Sequence, residues 1–344
     1  MSKDRVSIKD LAKALGVSTS TVSRALSNEG RIGAKTKASV LELAEKWGYK
    51  PNPFAANLSK KKTGLIGLIL PQFTHHYFAR VLSGINEVVN KTDFNLIINV
   101  HEGSLERERE IISMLRSMRV DGVIASLARE SSEFNHYLDL IEDDTPLVFV
   151  DRMCEDLDVS YVISDDFTGC LKVVDALARE GRNKIGYVSG PMNLSTSFTR
   201  KVGYHEGLKR NSLPFDQKWE ISIDEIDWLD RIIRLIKEGE IEAVMTYSDY
   251  QAFEVIERLK SENIAVPDQV SVVGFADEPI ALHMSPKLST VEQPDFRMGV
   301  RSAEILLSHI NGQIELIQEE MKTELVLRES TLSIKEKLRL ENAS

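Results

Sequence analysis

The sequence is poor in cysteine and in long apolar runs. Only Cys154 and Cys170 occur among 344 residues, which excludes the disulfide framework of a small secreted protein. We expect both to be buried in a protein of the reducing cytoplasm. The longest apolar stretch, Leu65–Leu70, is far shorter than the roughly 20 residues that cross a membrane, so no membrane contact is expected. The charged N-terminus argues against a secretory signal peptide.

Motifs of common enzyme classes are also missing. The chain has no Gly-x-Ser-x-Gly, no phosphate loop ending in Gly-Lys-Ser/Thr, and no Gly-x-Gly-x-x-Gly after the first predicted strand. His75 and His76 form the one histidine cluster, but adjacent side chains point apart and no Cys or Asp joins them at ligand spacing. We therefore expect no enzyme activity, no metal site and no cofactor.

What the sequence does have is a strong charge asymmetry. Residues 1–62 contain 13 Lys and Arg against 5 Asp and Glu, a net charge of +8, and the remaining residues contain 30 against 48, a net charge of −18. A basic head on an acidic body predicts a nucleic-acid-binding module joined to a second function. Because the acidic body repels phosphate, contact with nucleic acid should be confined to the head.

Two short helices joined by a glycine turn are predicted at the start of the head. Ser7 can cap the first helix, which runs to Leu15, and Gly16 suits the left-handed position that ends it. Ser18 can cap the second helix. The inward face of that helix is expected to consist of Val22, Ala25 and Leu26. This arrangement is typical of a helix-turn-helix, whose second helix enters the major groove of DNA.

A third helix and a linker complete the head. The third helix is predicted over 35–47, with an inward face of Val40, Leu41, Leu43, Ala44 and Trp47. The segment 53–58 can form a short helix that ends at Leu58, beside three lysines. A leucine next to lysines is consistent with a solvated linker or with a wedge in the minor groove.

The head resembles the headpiece of the LacI/GalR (lactose/galactose repressor) family of bacterial transcription regulators. The motifs that carry the resemblance are Ile8-Lys9-Asp10-Leu11-Ala12, Gly16-Val17-Ser18, Thr21-Val22-Ser23-Arg24-Ala25-Leu26 and Gly48-Tyr49-x-Pro51-Asn52. The resemblance implies binding to double-stranded, near-palindromic operator DNA. The implied DNA-binding residues are Ser7, Thr19, Ser20, Thr21, Arg24, Lys35, Asn52, Ala55 and Leu58.

The resemblance also implies a role for each part of this set. Thr19 and Ser20 face base edges, and Arg24 contacts a base or a phosphate. Ser7 and Lys35 contact the DNA backbone. Residues 53–58 form a hinge helix only on operator DNA, where two copies of Leu58 open the central base step.

The body alternates apolar runs of strand length with helical patterns, which predicts βαβ units and parallel sheets. Strands are predicted at 65–70, 95–100, 122–126, 146–150, 184–189, 243–247 and 270–275. Helices are predicted at 77–91, 105–118, 132–142, 168–180, 198–211, 228–239 and 249–262. A break near 160–166 divides the series into two lobes, and ligands of such folds bind in the cleft at the carboxyl ends of the strands.

Residues just past the strand ends are the candidates for ligand contact. They are 71–78, Asp151 with Arg152, Gly190 with Pro191, Arg200, Ser248 with Asp249, and 275–279. Carboxylates, an arginine and aromatic rings in one cleft suit a hydroxyl-rich ligand. Structural roles stay open for several of them. Asp249 can cap the following helix, Asp151 can pair with Arg152 or Arg200, and the aromatic residues Tyr77 and Phe78 can belong to the core.

The body resembles the periplasmic-binding-protein-like effector domain of the same family. The matching motifs are Gly67-Leu68-Ile69, Phe149-Val150-Asp151-Arg152, Gly190-Pro191, the stretch from Arg200 to Tyr204, Ser271-Val272-Val273-Gly274-Phe275 and Leu288-Ser289-Thr290-Val291. The effector residues that the resemblance implies are Tyr77, Phe78, Asp151, Arg200, Asp249, Asp277 and Phe296. The implied effector is a small molecule of the carbohydrate type.

The expected fold is an all-α helix-turn-helix headpiece plus an α/β, periplasmic-binding-protein-like body of two parallel-sheet lobes. The expected boundaries are 1–50 for the headpiece, 51–62 for the hinge and linker, and 63–344 for the body. Lobe 1 is expected at about 63–163 and 294–324, and lobe 2 at about 164–293 and 325–344.

Three positions depart from the family. Gly33 stands where members often place Ser or Asn to cap the third helix. The pair His75-His76 stands before Tyr77-Phe78, where members usually carry Asn-Pro. Many sugar-binding members have an Asp directly after the Gly-aromatic pair, where this chain has Ala276, with an Asp one position later. The last two differences bear on the class of ligand.

These features predict a transcription regulator, most simply a repressor, whose operator affinity is controlled by a small molecule. The alternatives are a cytoplasmic ligand-binding protein or enzyme with an accessory DNA-binding head, and a binding protein for sugar import. A gel shift with the upstream DNA of the gene separates them. We expect a homodimer, since helix-turn-helix proteins pair their heads on a palindrome. After a strand predicted near 330–334, residues 335–344 are too few for a tetramer-forming coil.

Overall fold

The computed structural model of the protein describes residues 6–27, 32–49 and 62–332. The chain divides into two compact units, Met1–Leu65 and Ile66–Ser344, and each is described by itself. The predicted hinge at 53–58 and part of the expected DNA-binding set lie outside the described residues. These DNA-binding residues are Asn52, Ala55 and Leu58.

The headpiece contains three helices, as predicted. They are α1 (Ile8–Leu15), α2 (Thr19–Ser27) and α3 (Ala34–Lys46). Ser7 caps α1, because its hydroxyl oxygen accepts a hydrogen bond from the N–H of Asp10 and the carboxylate of Asp10 accepts one from the N–H of Ser7. Gly16 ends α1 with a φ of 64°, the left-handed conformation that glycine adopts at little cost. The hydroxyl oxygen of Ser18 accepts the N–H of Thr21 at 3.1 Å, which confirms the predicted start of α2.

All three helices contribute to the small core of the headpiece. Its buried residues include Leu11, Val22, Ala25, Val40 and Ala44. Two residues that were predicted to face inward do not, since Leu41 is 45% exposed and Trp47 is 40% exposed. Val40 and Ala44 lie one turn apart and set the inward stripe of α3, from which Leu41 is rotated by about 100°. Gly33 precedes α3 and supplies no side-chain cap.

The described part of the body contains two six-stranded sheets. The strands are β1 (Leu65–Leu70), β2 (Asn95–Val100), β3 (Gly122–Ala125), β4 (Leu147–Val150), β5 (Ser160–Ser164), β6 (Ile185–Ser189), β7 (Glu220–Ser222), β8 (Ala243–Thr246), β9 (Ser271–Ala276), β10 (Ser289–Glu292), β11 (Gln318–Met321) and β12 (Glu324–Val326). The first sheet has the order β11-β5-β4-β3-β1-β2, and the second has the order β12-β10-β9-β8-β6-β7. Parallel pairs dominate both sheets, and β12 runs antiparallel to β10.

Helices accompany both sheets and define the two lobes. They are α4 (His76–Val89), α5 (Leu105–Met118), α6 (Asn135–Glu142), α7 (Asp166–Arg179), α8 (Ser195–Arg210), α9 (Trp228–Lys237), α10 (Asp249–Ser261) and α11 (Asp295–Ile310). We call the first sheet with α4, α5, α6 and α11 lobe 1, and the second sheet with α7 to α10 lobe 2. The chain passes between the lobes after β5, after β10 and after β11.

The predictions were wrong where strands are short or polar. The segment 160–166, predicted only as the break between the lobes, contains strand β5, whose residues alternate between buried and half-buried. The chain leaves lobe 1 directly after this strand. Strands β7, β11 and β12 lie at sheet edges and carry Glu or Gln, so no apolar run marks them. The strand predicted near 330–334 is absent over 330–332. Ser330 instead forms two hydrogen bonds with Val272 of β9. Its hydroxyl donates to the carbonyl oxygen of Val272 at 2.6 Å, and its carbonyl oxygen accepts the N–H of Val272 at 2.9 Å.

Two glycines allow α4 and α11 to pack closely in lobe 1. A Cβ on Gly84 would lie 2.1 Å from the carbonyl oxygen of Phe296, and a Cβ on Gly299 would lie 2.1 Å from that of Val81. Because backbone atoms cannot retreat as a flexible side chain can, only glycine fits at these positions. This packing fixes α4, whose N-terminus faces the ligand site described below.

Candidate DNA-binding surface and ligand site

Helix α2 presents a polar face to solvent. Val22 and Ala25 are buried in the headpiece core, whereas Thr19, Ser20 and Arg24 are exposed. Burial of the apolar stripe therefore leaves the residues expected to contact bases on the opposite side of the helix. This is the geometry that a recognition helix requires.

The remaining described residues of the expected DNA-binding set surround this face. The hydroxyls of Ser20 and Thr21 lie 2.7 and 2.9 Å from the hydroxyl of Ser18, which orders the start of α2. The Ser7 side chain is engaged in the cap of α1. Lys35 is exposed in the first turn of α3.

Two cavities lie where the carboxyl ends of the strands of the two lobes meet. The aromatic cavity, of about 80 Å³, takes its name from the wall residues Tyr77, Phe78, Tyr247, Tyr250 and Phe275. The acidic cavity, of about 430 Å³, takes its name from Asp151, Asp166, Glu155 and Glu320. Ligand pockets for small molecules measure about 300–1,000 Å³. Of these two cavities, only the acidic cavity has room for a ligand.

Asp151 lies between the two cavities and lines both. It follows β4 with a φ of 66°, a left-handed conformation that Asp tolerates better than most residues. Its Oδ1 accepts the hydroxyl of Tyr77 at 2.9 Å, and its Oδ2 lies 3.7 Å from Nε of Arg152. Burial raises the pKa of Asp151, although the nearby Arg152 and Arg200 oppose the shift.

Arg200 is held tightly inside lobe 2. Its Nε donates to Asp166 at 2.7 Å and its Nη1 to the carbonyl oxygen of Tyr247 at 2.6 Å. The guanidinium lies 3.8 Å from the centroid of the Phe275 ring. Burial alone would lower the pKa of Arg200, but the negative charge of Asp166 and the further contributions of Tyr247, Cys170 and Asp151 together raise it, so the guanidinium stays charged. The pairing partner is thus Asp166 and not Asp151.

Glu278 joins the two lobes. It follows β9 in lobe 2, and its carboxylate accepts the backbone N–H groups of His76 at 3.2 Å and of Tyr77 at 3.3 Å, at the N-terminus of α4 in lobe 1. The Tyr250 hydroxyl donates to the same carboxylate at 3.3 Å, and the His75 ring stacks on Tyr250 with the centroids 4.1 Å apart. A carboxylate at a helix N-terminus satisfies free N–H groups and interacts favourably with the helix dipole.

Asp249 does not face either cavity, contrary to expectation. It is fully buried in lobe 2, where its carboxylate accepts the hydroxyl of Thr290 at 2.5 Å and the backbone N–H of Glu278 at 2.7 Å. A Cβ on Gly274 would lie 2.1 Å from the Asp249 carboxylate, so this glycine makes room for it. Asp249 thus neither caps its own helix nor contacts a ligand directly, and instead positions Glu278.

Asp277 and Phe296 also lie away from the two cavities. Ala276 and Asp277 have φ values of 123° and 55°, and the carboxylate of Asp277 pairs with Arg328 at 2.7 Å. The ring of Phe296 lies 4.9 Å from the guanidinium of Arg80, beside a third cavity of about 330 Å³. Neither residue therefore lines the aromatic or the acidic cavity, contrary to the expectation that both contact the effector there.

Several wall residues were missed by sequence reasoning. They are Asp166, Tyr247, Tyr250, Glu278 and Gln293. Tyr247 and Tyr250 flank the candidate pair Ser248-Asp249, and Glu278 lies in the candidate segment 275–279. The rule that ligands bind past strand ends thus found these segments but not the side chains that point into the cleft. Asp166 was missed because the strand before it was not recognised.

The described residues contain neither a metal-ligand cluster nor a membrane-spanning helix. Among residues 6–27, 32–49 and 62–332, no group of three His, Cys, Asp or Glu could hold a metal ion. No helix in this part of the chain is long and apolar enough to pass through a membrane. Cys154 and Cys170 are both buried and unpaired, as predicted.

Two sequence families match the chain. The family described as bacterial regulatory proteins, lacI family, matches residues 7–52, and the periplasmic binding protein-like domain matches residues 174–331. The HTH-type transcriptional regulator RegA of Clostridium saccharobutylicum is 30% identical over 335 residues, which are 95% of this chain and 99% of RegA.

Solved structures share the fold. The lac repressor dimer bound to operator and the anti-inducer ONPF superposes with a TM-score of 0.84 at 23% identity, covering 96% of this chain and all (100%) of that one. A periplasmic binding protein/LacI transcriptional regulator from Alkaliphilus metalliredigens QYMF, complexed with D-xylulofuranose, superposes with a TM-score of 0.68 at 26% identity. The superposition covers 78% of this chain and 100% of that regulator's chain.

The fold and its two sites define a DNA-binding transcription regulator with a ligand-binding body. The similarity to RegA covers nearly the whole of both chains, which favours a regulator over a ligand-binding protein or an enzyme with an accessory head. The chain belongs to the LacI family of bacterial regulatory proteins.

Proposed function

We propose that the protein is a transcriptional repressor that binds operator DNA through α2 and changes its operator affinity when a small polyhydroxyl molecule binds between the lobes. The observation that carries this proposal is that a helix-turn-helix and a two-lobe body occur in one chain. The similarity of this chain to the regulator RegA extends over both parts. The ligand class is supported by the regulator of known structure that holds D-xylulofuranose.

The protein acts as a homodimer on a near-palindromic operator in the bacterial cytoplasm, and has no enzymatic role. The pairing of two headpieces is supported by the lac repressor, whose dimer is bound to its operator. One headpiece reads only a few base pairs, so that two copies are needed for a specific site. Sedimentation at micromolar concentration tests this, and a stable monomer or a tetramer would contradict it.

The division of labour along the chain follows the boundaries expected from the sequence. Residues 1–50 bind DNA, residues 51–62 form the hinge and linker, and residues 63–344 bind the effector and dimerise. The effector residues in this proposal are Tyr77, Phe78, Asp151 and Arg200. Asp151 lines the acidic cavity, and the other three line the aromatic cavity beside it, which Asp151 also lines. We add Glu278 and Asp166 to this set. The backbone N–H of Glu278 donates to the carboxylate of Asp249, which positions Glu278.

Operator binding tests the headpiece assignment directly. Fluorescence anisotropy with DNA from upstream of the gene should show specific binding, and Arg24→Ala should weaken it by about 1–3 kcal/mol, the scale of one base-level contact. Lys46→Ala is the matched control, since it removes the same charge from the exposed end of α3. If both variants lose affinity equally on specific and unrelated DNA, α2 is not the recognition helix.

A further inference from the structure

The acidic cavity has walls of one charge sign. Its charged lining residues are Asp151, Glu155, Asp166 and Glu320, and no described Lys, Arg or His lines it. The other polar lining residues are Gln318 and five residues with hydroxyl groups, Tyr161, Ser164, Ser195, Thr196 and Thr199. Such walls offer many hydrogen bonds but no partner for an anion.

Basic side chains balance only part of this charge. Arg200 pairs with Asp166 at 2.7 Å, and Nε of Arg152 lies 3.7 Å from Asp151. Glu155 and Glu320 are exposed to solvent and form no ion pair with a described residue. The uncompensated charge of the cavity is therefore negative.

Asp151 also carries an acceptor without a donor. Its side chain is only 7% exposed, and Oδ1 takes the hydroxyl of Tyr77. Its Oδ2 accepts no hydrogen bond from a described residue, because the 3.7 Å to Nε of Arg152 is too long, and that Nε is itself buried without a hydrogen-bond partner. Because Asp151 lines the acidic cavity, a hydroxyl or ammonium group of a ligand there would donate to Oδ2.

We propose that the acidic cavity takes a polyhydroxyl compound that is uncharged or carries an amine, and that it rejects sugar acids and sugar phosphates. This inference rests on the effector-binding function proposed above and names the class of effector. An anionic group in the acidic cavity would face Asp151, Glu155 and Glu320, and like charges in a recess repel. The guanidinium of Arg200 lines only the aromatic cavity and is already paired with Asp166, so it does not offset this repulsion. An ammonium group would instead donate a charge-assisted hydrogen bond to Asp151.

The charge of the cavity can be measured without knowing the effector. Thr199→Cys places a thiol in the cavity wall on α8. The matched control is Val202→Cys, one turn further along the same helix, which is 40% exposed and does not line the cavity. Each variant is labelled with a trimethylammonium and with a sulfonate methanethiosulfonate reagent. Taking the ratio of the two labelling rates cancels any difference in the reactivity of the thiol itself. The wild-type protein, whose two cysteines are buried, gives the background labelling rate.

In low salt, we expect the ratio of the cationic to the anionic labelling rate to be at least tenfold higher for Thr199→Cys than for Val202→Cys. The preference should shrink in high salt, which screens charge. It should also shrink when Glu155→Gln and Glu320→Gln are added to Thr199→Cys. An equal or greater preference for the sulfonate reagent in the cavity would overturn the proposal, and so would a preference that survives removal of both glutamates unchanged.

A panel of sugars that share one carbon skeleton then tests the ligand class. Thermal unfolding of the full chain is measured with D-glucose, D-glucosamine, D-glucuronate and glucose 6-phosphate, and with the four galactose counterparts. Greater stabilisation by the parent sugar or the amine than by the acid and phosphate supports the proposal, and the reverse order overturns it. Neither experiment contains DNA, so the proposed regulatory function succeeds or fails separately, in the operator-binding assay.

Discussion

The carboxylate of Glu278 and the backbone N–H of Tyr77 form a hydrogen bond of 3.3 Å that connects the two lobes. The hydroxyl of the same tyrosine donates to Asp151, which lines the acidic cavity. In the other direction, Asp249 fixes the backbone of Glu278. Tyr77 therefore links the wall of the ligand cavity to the contact between the lobes. A ligand that draws Asp151 away from Tyr77 would act directly on the lobe contact.

Replacing Glu278 by Gln should weaken this lobe contact. Glu278→Gln keeps a hydrogen-bonding oxygen but removes the charge at the N-terminus of α4, and we expect the free energy of unfolding to fall by about 1–2 kcal/mol. Urea denaturation measures the change. Glu257→Gln on the exposed face of α10 is the control, with an expected effect within about 0.5 kcal/mol. Equal effects of the two variants would show that Glu278 contributes no more than a surface charge.

Arg200 and Asp166 should behave as a coupled pair. Arg200→Ala leaves the buried carboxylate of Asp166 unpaired, and breaking such a pair costs about 3–5 kcal/mol of unfolding free energy. Adding Asp166→Asn removes the stranded charge and should recover part of the loss. A double-mutant cycle by urea denaturation measures the coupling. Arg210→Ala is the control, because Arg210 lies on the same helix as Arg200 and is an exposed partner of Asp175 on α7. This variant should change the free energy of unfolding little. Additive effects of the Arg200 and Asp166 changes would contradict the pairing.

Periodicity and end signals gave the regular part of the fold. The capping pair Ser7 and Asp10, the glycine after α1 and the apolar strand β1 all lie where the pattern predicts, because local hydrogen bonding and burial decide them. Trp47 shows where the pattern fails, since it follows the last residue of α3 and its direction depends on the turn. The edge strand β11 was missed because its sequence, Gln-Glu-Glu-Met, is mostly polar and is paired on one side only.

The site was predictable in outline for a related reason. Topology places strand ends in the cleft, so Asp151 could be found from the strand pattern, whereas Arg200 lies inside α8 and its role was implied by the family resemblance. Which side chain points into the cleft depends on backbone details that the sequence does not display. The positive φ values of Ala276 and Asp277 direct Asp277 to Arg328, and bring Glu278 to α4.

Operator affinity should fall steeply as salt rises. Residues 1–62 carry a net charge of +8, so a dimer that neutralises about 6–10 phosphates would lose about 10³–10⁵ in affinity between 50 and 200 mM salt. Binding of an uncharged sugar to the body should change far less, because no counterions are released. Anisotropy titrations of operator DNA across this salt range provide the test. A flat response for DNA would contradict the assignment of DNA binding to the headpiece.

The stability of the body should depend on pH through Asp249. Burial raises the pKa of Asp249 from its ordinary value of 3.8 to about 7, the charges of Asp277 and Glu278 add to the rise, and the hydrogen bonds from Thr290 and from the N–H of Glu278 oppose it. Between these two pH values the folded protein holds a proton that the unfolded chain has released. The free energy of unfolding therefore falls as the pH rises. This contribution is complete below pH 3.8 and is lost as the pH rises through about 7.

Asp249→Asn removes this titration and isolates its effect. We expect wild type to lose stability relative to Asp249→Asn as the pH rises from 5 to 8, with a slope of at most about 1.4 kcal/mol per pH unit for one proton. Urea denaturation at each pH measures the difference, and exposed Asp158→Asn controls for the loss of one charge. Since the amide can still accept the hydroxyl of Thr290 or the N–H of Glu278, the variant should fold. A stability difference that stays constant across this range, or that grows in favour of wild type, would mean that Asp249 is already ionised at pH 5.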